Sequence, residues 1–403
     1  MRRDAHGARL ALQAMDKDHV RRRRRTVERL DGDDAITHPV VDGRTLVNFC
    51  SNDYLGLARD PRLVAAMTRA AGAFGAGSGA AHLVTGHTRE HHALEEELAD
   101  FLGRDSALLF STGYMANLGA ISTLVGRGDL VLEDRLNHAS LIDGALLSGA
   151  RLSRYSHNSV ADAFARIEKA DESDRLIATD GVFSMDGDVA PLEGLAKLAT
   201  KTQSWLLVDE AHGLGVVGPG GRGSVAAAGL TMDDVPLVMG TLGKALGSFG
   251  AFLAGPRDLI DFVLQRARSY VYTTALPAPV AAASRAALKI VREEPERRET
   301  LARRIRRFRT FGAQAGLPLM ASDTPIQPLL LEDSALAVTV SDTLREQGYW
   351  VAAIRPPTVP PNTARLRVTL SAAHTEAEID GLLEALHTTL GRLRNSSSPR
   401  SAV

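Results

Sequence analysis

The sequence predicts an α/β fold: a large domain on a mostly parallel, seven-stranded sheet, followed by a smaller α+β C-terminal domain. Three observations carry this expectation. Between about residues 105 and 255, short apolar runs rich in β-formers alternate with polar, Gly-bearing turns and helical stretches, the rhythm of βαβ units. Several of these runs are apolar throughout, as strands buried on both faces are. A proline-marked break, Ala275-Leu-Pro-Ala-Pro279, then precedes a long helical stretch rich in Ala and Arg.

Taken in order, residues 1–45 read as an N-terminal helical segment, in which Met1 to Asp18 mixes charges with short apolar stretches and lacks the apolar core of a secretory signal. The large domain is expected over 46–279. Its candidate strands are Ala107–Phe110, Leu130–Leu132, Leu152–Tyr155, Leu176–Thr179, Leu206–Val208, Leu237–Met239 and Ala251–Ala254. Polar residues stand just after several of them: Ser111, His138, Asp180, Asp209 and Thr241. Ligands of open α/β sheets bind outside the carboxyl ends of the strands, so these residues should converge. The small domain is expected over 280–393, closing with a strand at Arg365–Leu370 and a helix over Thr375–Leu390. Residues 394–403 are small and polar and read as a disordered tail.

At 403 residues, 44% of them apolar and 24% charged, the chain is of enzyme size, and it has no apolar run approaching the roughly 18 residues of a membrane span. The formal charge of -1 provides no long-range field for a polyanion. The Arg21–Arg25 run reads as a solvated face rather than a nucleic-acid contact. Cys50 is the only cysteine, which excludes an internal disulfide framework and fits a reducing, cytoplasmic compartment.

Lysine is scarce, and Lys244 alone lies directly after an apolar strand, within Gly240-Thr-Leu-Gly-Lys-Ala-Leu-Gly247, where glycines let backbone approach a ligand. A lysine in a low-dielectric site serves as a nucleophilic amine. Asp209, in Val208-Asp-Glu-Ala-His212, suits the pairing of a carboxylate with a pyridinium nitrogen, which makes the ring of pyridoxal phosphate (PLP) an electron sink. His212 is placed to reach the phenolic oxygen of that ring, with Ser184 a second donor to it. Gly113 and Tyr114, where Ser111-Thr-Gly-Tyr-Met-Ala-Asn117 turns from strand into helix, offer backbone N–H groups to a phosphate, and Thr241 a hydroxyl. PLP held as a Schiff base on Lys244 is the cofactor these residues imply.

Three motifs point elsewhere and are weaker. Asp209-Glu-Ala-His212 spells the acidic box of some helicases, but no phosphate loop ending in Gly-Lys-Ser/Thr accompanies it. Gly213-x-Gly215-x-x-Gly218 matches a dinucleotide fingerprint, yet Pro219-Gly-Gly-Arg-Gly223 follows where a helix must begin. His87-x-x-Glu-His91 matches a zinc helix, but Leu94, Leu98 and Leu102 continue an apolar helical face, so a packed helix and no metal is the expectation.

Asn52-Asp-Tyr-Leu-Gly56, Arg135-Leu-Asn-His-Ala-Ser140, Gly181-Val-Phe-Ser-Met-Asp-Gly-Asp188, Asp209-Glu-Ala-His-Gly213 and Thr241-Leu-Gly-Lys244 together resemble the α-oxoamine synthases, a family of fold-type-I PLP-dependent transferases, over about residues 45–390. The resemblance implies catalytic roles for Lys244, His138 and Asp209, with His138 stacked on the cofactor and helping to position an acyl thioester. It implies that Arg367 clamps an amino-acid carboxylate, with Arg355 and Arg365 as rivals, and that Arg21 and Thr358 contact substrate. Thr273 and Thr274 resemble a segment reaching the phosphate across a homodimer interface. Within the family, Ile354-Arg-Pro-Pro-Thr-Val-Pro360 with Thr363-Ala-Arg-Leu-Arg367 most resembles members that join L-alanine to a pimeloyl thioester, carried by CoA or a carrier protein. Members using glycine with acetyl- or succinyl-CoA, or serine with a fatty acyl thioester, share the core motifs.

Overall fold

The computed structural model describes residues 5–18, 20–29, 37–172 and 174–397. The chain divides into two compact units. The larger comprises Asp53–Ser184 and Asp188–Glu299; the smaller comprises Met1–Asn52, Met185–Gly187 and Thr300–Val403.

The larger unit holds the seven-stranded sheet. Its strands are Ser106–Phe110 (β1), Leu130–Asp134 (β2), Arg151–Tyr155 (β3), Arg175–Asp180 (β4), Trp205–Asp209 (β5), Leu237–Thr241 (β6) and Ala251–Gly255 (β7), in the spatial order β1-β7-β6-β5-β4-β2-β3. All seven candidate strands form. The apolar character of the central ones has a direct cause: Leu207, Leu176 and Ala178 enter the core on one face, while Leu206, Val208 and Ile177 enter the core on the other. Each buried Leu or Ile contributes about 1.5–3 kcal/mol over exposure.

One feature departs from the βαβ rhythm. β7 runs antiparallel to both β6 and β1, with Thr241 paired to Ala251. The connection 242–250 therefore doubles back at the carboxyl end of β6, and it carries Lys244. Gly247 makes this tight return possible. Its φ is +62°, and a Cβ there would lie 2.3 Å from the Ala58 nitrogen.

The boundary expected at 279/280 shifts to 299/300. Helix Ala278–Glu293 packs on helices Pro61–Phe74 and Arg89–Leu102 within the larger unit, and its buried Ala281, Ala282, Ala283 and Ala287 allow the close approach. Pro277 is the N-cap of this helix and marks its start, not a change of domain.

The smaller unit is α+β. Ile326–Glu332, Ala364–Thr369 and Ala352–Ile354 form an antiparallel sheet in that order, and helices Ser334–Glu346 and Glu376–Ser397 pack together. Two expectations are corrected here. Among its described residues the N-terminal segment is helical over Ala5–Lys17 alone and has no regular structure over 20–26, with short strands Val27–Arg29, Val40–Val41 and Arg44–Thr45. Like charges three and four residues apart disfavour a helix through Arg21–Arg25; outside a helix, Arg21 pairs with Asp16 at 2.6 Å and Arg25 with Asp42 at 2.9 Å. At the other end the last helix continues through Ser397, into the stretch expected as a tail from 394, whose remaining residues 398–403 lie outside the described ones. Among the described residues, no helix is long and apolar enough to cross a membrane.

Candidate active site

A cavity of about 210 Å³ opens at the carboxyl ends of β4, β5 and β6. Its lining brings together Lys244 and Thr241 from the β6 end, Asp209 and His212 from the β5 end, and Asp180 and Ser184 from the β4 end. Gly113 and Tyr114 reach it from a helix start, with His138 and Ser140 beside them. A larger groove, about 610 Å³, is bordered by helices Pro61–Phe74 and Ala278–Glu293. Its Arg285 is bound to Glu90 and Glu97, so size alone does not locate the chemistry.

Lys244 Nζ lies 2.9 Å from His212 Nε2, and His212 Nδ1 lies 2.6 Å from the hydroxyl of Tyr54, which is fully buried. A protonated Lys244 donates to Nε2, which leaves the Nδ1–H to donate to Tyr54; a neutral lysine lets the chain reverse. Tyr54 is set by its own segment. Both Asp53 carboxylate oxygens accept backbone N–H groups, from Leu57 at 2.8 Å and Ala58 at 3.0 Å, and fix the turn through Gly56. Gly247 abuts Ala58, so one local packing locates both ends of the Tyr54–His212–Lys244 chain.

Asp209 is 4% exposed. Its Oδ1 accepts the Ala211 N–H at 2.8 Å and its Oδ2 accepts from Asn117 Nδ2 at 2.8 Å. The same Asn117 nitrogen donates to Ser140 Oγ at 2.9 Å, and Ser140 Oγ lies 2.7 Å from His138 Nδ1. A polar relay thus runs from Asp209 to His138. The His138 ring also accepts the Ser140 N–H and caps helix Ala139–Ser148. Burial pushes the Asp180 carboxyl well above the usual range, and the nearby Asp209 charge adds to the effect.

Helix Gly113–Leu124 starts at the cavity with Thr112 as its N-cap, and the first-turn N–H groups of Gly113 and Tyr114 have no acceptor within the helix. A Cβ at Gly113 would stand 3.2 Å from the Met239 methyl, so the backbone sits close against the sheet. Thr241 donates to the Gly250 carbonyl at 3.0 Å and accepts the Gly243 N–H at 3.3 Å, which braces the lysine loop.

The remaining expected site residues are not among those lining this cavity. Thr274 is exposed and does not line the cavity. In the smaller unit, both Nη atoms of Arg367 donate to Asn52 Oδ1, at 3.3 and 3.2 Å. Arg365 is committed to Asp186 at 2.6 Å and to the Thr363 carbonyl, while Arg355 reaches the Arg21 carbonyl. The Thr358 hydroxyl receives Arg22 at 2.8 Å, whereas the Arg21 guanidinium goes to Asp16. The polar residues that sequence reasoning gave no role are Tyr54, Asn117 and Ser140. Asn117 and Ser140 stand in the same short motifs as Gly113 and His138, which was the available signal for them, whereas no residue near Tyr54 carried one.

Two of the weaker motifs resolve into structural roles. Glu210 accepts from Ser224 Oγ at 2.7 Å and the Val225 N–H at 2.8 Å, and Gly213 and Gly223 close around its carboxylate. The glycine-rich loop therefore wraps a buried acid, whose carboxyl burial pushes up. His91 is fully buried and forms a capping box with Thr88, and its Nε2 lies 2.6 Å from the Leu276 carbonyl.

Comparison with known proteins agrees with this geometry. The model of the family described as aminotransferase class I and II matches residues 44–386. An 8-amino-7-oxononanoate synthase of Thioalkalivibrio sulfidiphilus is 59% identical over 352 residues, 87% of this chain and 90% of that protein. One from Alkalilimnicola ehrlichii is 56% identical over 381 residues, 94% and 97% of the two chains. Among solved structures, a serine palmitoyltransferase from S. paucimobilis with PLP and myriocin bound superposes with a TM-score of 0.91 at 32% identity, covering 98% of this chain and all of that one. The 8-amino-7-oxononanoate synthase of Francisella tularensis superposes with a TM-score of 0.76 at 32% identity, covering 87% and 99%. The chain belongs to the aminotransferase class I and II family of fold-type-I PLP-dependent enzymes, in the 8-amino-7-oxononanoate synthase group.

Proposed function

We propose that this chain condenses L-alanine with a pimeloyl thioester to give 8-amino-7-oxononanoate, CO2 and a free thiol, a step of biotin biosynthesis. The observation that carries the reading is one cavity presenting an amine, Lys244, and a rigidly held carboxylate, Asp209, beside a helix N-terminus. The product name shared by the relatives sets the substrates. In a nonanoate with an oxo group at carbon 7 and an amino group at carbon 8, the chain through the ketone is the pimeloyl unit. The two carbons beyond it are the Cα and methyl of alanine, whose carboxylate leaves as CO2.

The residues fit PLP. Gly113 and Tyr114 N–H groups, with the helix dipole, would hold its phosphate; Asp209 would face its pyridine nitrogen; Lys244 would hold its aldehyde carbon. When bound, PLP supplies an electrophilic carbon for the amino acid's nitrogen and a protonated ring that takes up the electron pair left at Cα. Asp209, fixed by Ala211 and Asn117, keeps its charge on that ring without reorganising. Lys244 takes the Cα proton, and His212 at 2.9 Å, backed by Tyr54, orients the amine and exchanges its proton. His138, Ser184 and Thr241 complete the cavity wall.

Arg367 is the residue proposed for the alanine carboxylate, because Arg365 is already spent on Asp186. Arg21 and Thr358 are proposed for the acyl substrate, Thr274 for a phosphate contact across a homodimer, and the cytoplasm for the compartment. A serine and fatty acyl reading draws on the serine palmitoyltransferase superposition, but at 32% identity against 59% for the synthases. The deciding experiment supplies PLP-loaded protein with L-alanine and pimeloyl-CoA, and in parallel with glycine and acetyl-CoA or serine and palmitoyl-CoA. Equal release of CoA and CO2 with the first pair alone supports the proposal. A faster reaction with either other pair, and none with pimeloyl-CoA, overturns it.

A further inference from the structure

Outside the active site, four histidines and a glutamate gather where the segment His82–Gly86 meets the start of helix Arg89–Leu102. His91 is consumed by its capping box and by Leu276, so the sequence pair His87 and His91 does not act as a ligand pair. The helix instead offers His92 and Glu95, one turn apart, and the chain before it adds His87. One ligand atom from each of His87, His92 and Glu95 lies within 4.8 Å of the other two.

Two of the three ligands are already oriented by a neighbour. Glu95 Oε1 accepts the Leu109 N–H at 2.9 Å, which fixes the carboxylate and leaves Oε2 3.9 Å from His87 Nε2. His87 Nδ1 lies 3.2 Å from His82 Nδ1, so one of the two nitrogens donates and the other accepts. With His87 as donor, its Nε2 lone pair is turned toward a carboxylate oxygen. Either a proton on the Glu95 carboxyl or a metal ion between the two atoms satisfies that pair. A ligating histidine that gives its second N–H to an acceptor, beside a hydrogen-bonded carboxylate, is the usual outer shell of a metal site.

We propose that His87, His92 and Glu95 form a site for a divalent first-row transition metal of the zinc class, with water completing the coordination. Two imidazoles and one carboxylate suit zinc, cobalt or nickel, while magnesium and calcium take oxygen ligands. Tetrahedral bonds of about 2.0–2.1 Å place ligand atoms about 3.3 Å apart. The cluster therefore has to close by about 1.5 Å at its widest, and His92, with 54% of its side chain exposed, has the freedom to do so. The helix N-terminus opposes a cation here, but Glu90 and Glu96 stand with Glu95 in the first two turns and offset it. The metal would clasp the segment before the helix onto the helix itself, a structural role separate from the PLP cavity.

Untagged, PLP-loaded protein stripped of metal by chelator is titrated with Co2+, and the ligand-field absorption of the cobalt is followed. The expected result is saturation at one Co2+ per chain with the intense bands of four-coordinate cobalt, bleached by Zn2+. His92→Ala, on an exposed side chain, and Glu95→Gln should each weaken binding at least tenfold while the PLP absorbance is kept. Zn2+ should raise the melting temperature of the wild type and not that of His92→Ala. Should Glu95→Gln fail to fold, His92→Ala decides alone. Bands of equal strength in wild type and His92→Ala, or no saturable binding at millimolar Co2+, overturn the assignment.

Discussion

Replacing Asp209 with Asn removes one charge and almost no volume, and the hydrogen bonds around it dictate how the site responds. The carboxylate accepts two donors, the Ala211 N–H and Asn117 Nδ2. An amide at this position has a single oxygen, and the backbone donor cannot turn away. The new NH2 group therefore faces Asn117, which accommodates it only by exchanging the two ends of its own amide. Asn117 Nδ2 also donates to Ser140, so that bond reverses as well, and Ser140 stops donating to His138. Each rearranged bond is worth about 1 kcal/mol, which the fold tolerates. The charge facing the ring nitrogen has no substitute, and its loss raises the barrier by on the order of 3 kcal/mol, roughly 150-fold in kcat. Three measurements check this: PLP titration, exchange of the L-alanine Cα proton for deuterium without thioester, and CoA release with pimeloyl-CoA. PLP affinity should hold while exchange and turnover fall together. A variant whose exchange and turnover both stay within tenfold of wild type would refute the reasoning.

Lys244→Ala should lower turnover by roughly 10²–10⁴-fold while PLP still binds non-covalently, and borohydride reduction should fix cofactor to the Lys244 peptide of the wild type and to no other. Tyr54→Phe leaves His212 Nδ1 without its 2.6 Å partner in a buried setting, so about 1–3 kcal/mol should be lost from stability or from Cα exchange, with a changed pH–rate profile; an unaltered profile and melting temperature would exclude Tyr54 from the relay. Arg365→Met strands Asp186 beside a vanished partner and should cost about 3–5 kcal/mol of stability, whereas Arg367→Met should mainly raise the KM for alanine; the opposite pattern would reassign the carboxylate contact. Burial raises the Glu133 carboxyl from 4.5 to about 8, so between those values the folded chain holds a proton that the unfolded chain releases, and stability declines as pH rises. Glu133→Gln should therefore raise the melting temperature by at least about 2 °C more at pH 8.5 than at pH 5.5, and an equal gain at both would remove Glu133 as the cause.

The central strands were legible because they are buried on both faces, a property that apolar runs state directly, as Leu206–Val208 does; the edge strand Arg151–Tyr155 is half-buried and has no such run. The reversal of β7 was legible only in principle. Parallel strands need a crossover of about a dozen residues or more, and 242–250 is too short for one. Reading that length would have placed Lys244 on a tight return and explained Gly247. The site was legible wherever a reactive residue follows a strand, since the carboxyl ends of a sheet gather such residues whatever their distance in sequence. It was not legible where function passes through a second side chain. Nothing local distinguishes Tyr54 from an ordinary core tyrosine; its meaning comes from His212, 158 residues away. The arginines make the same point. Arg355, Arg365 and Arg367 are chemically alike in sequence, and only the partner that the fold sets before each one separates them: Asp186 for Arg365, the Arg21 carbonyl for Arg355 and the Asn52 amide oxygen for Arg367.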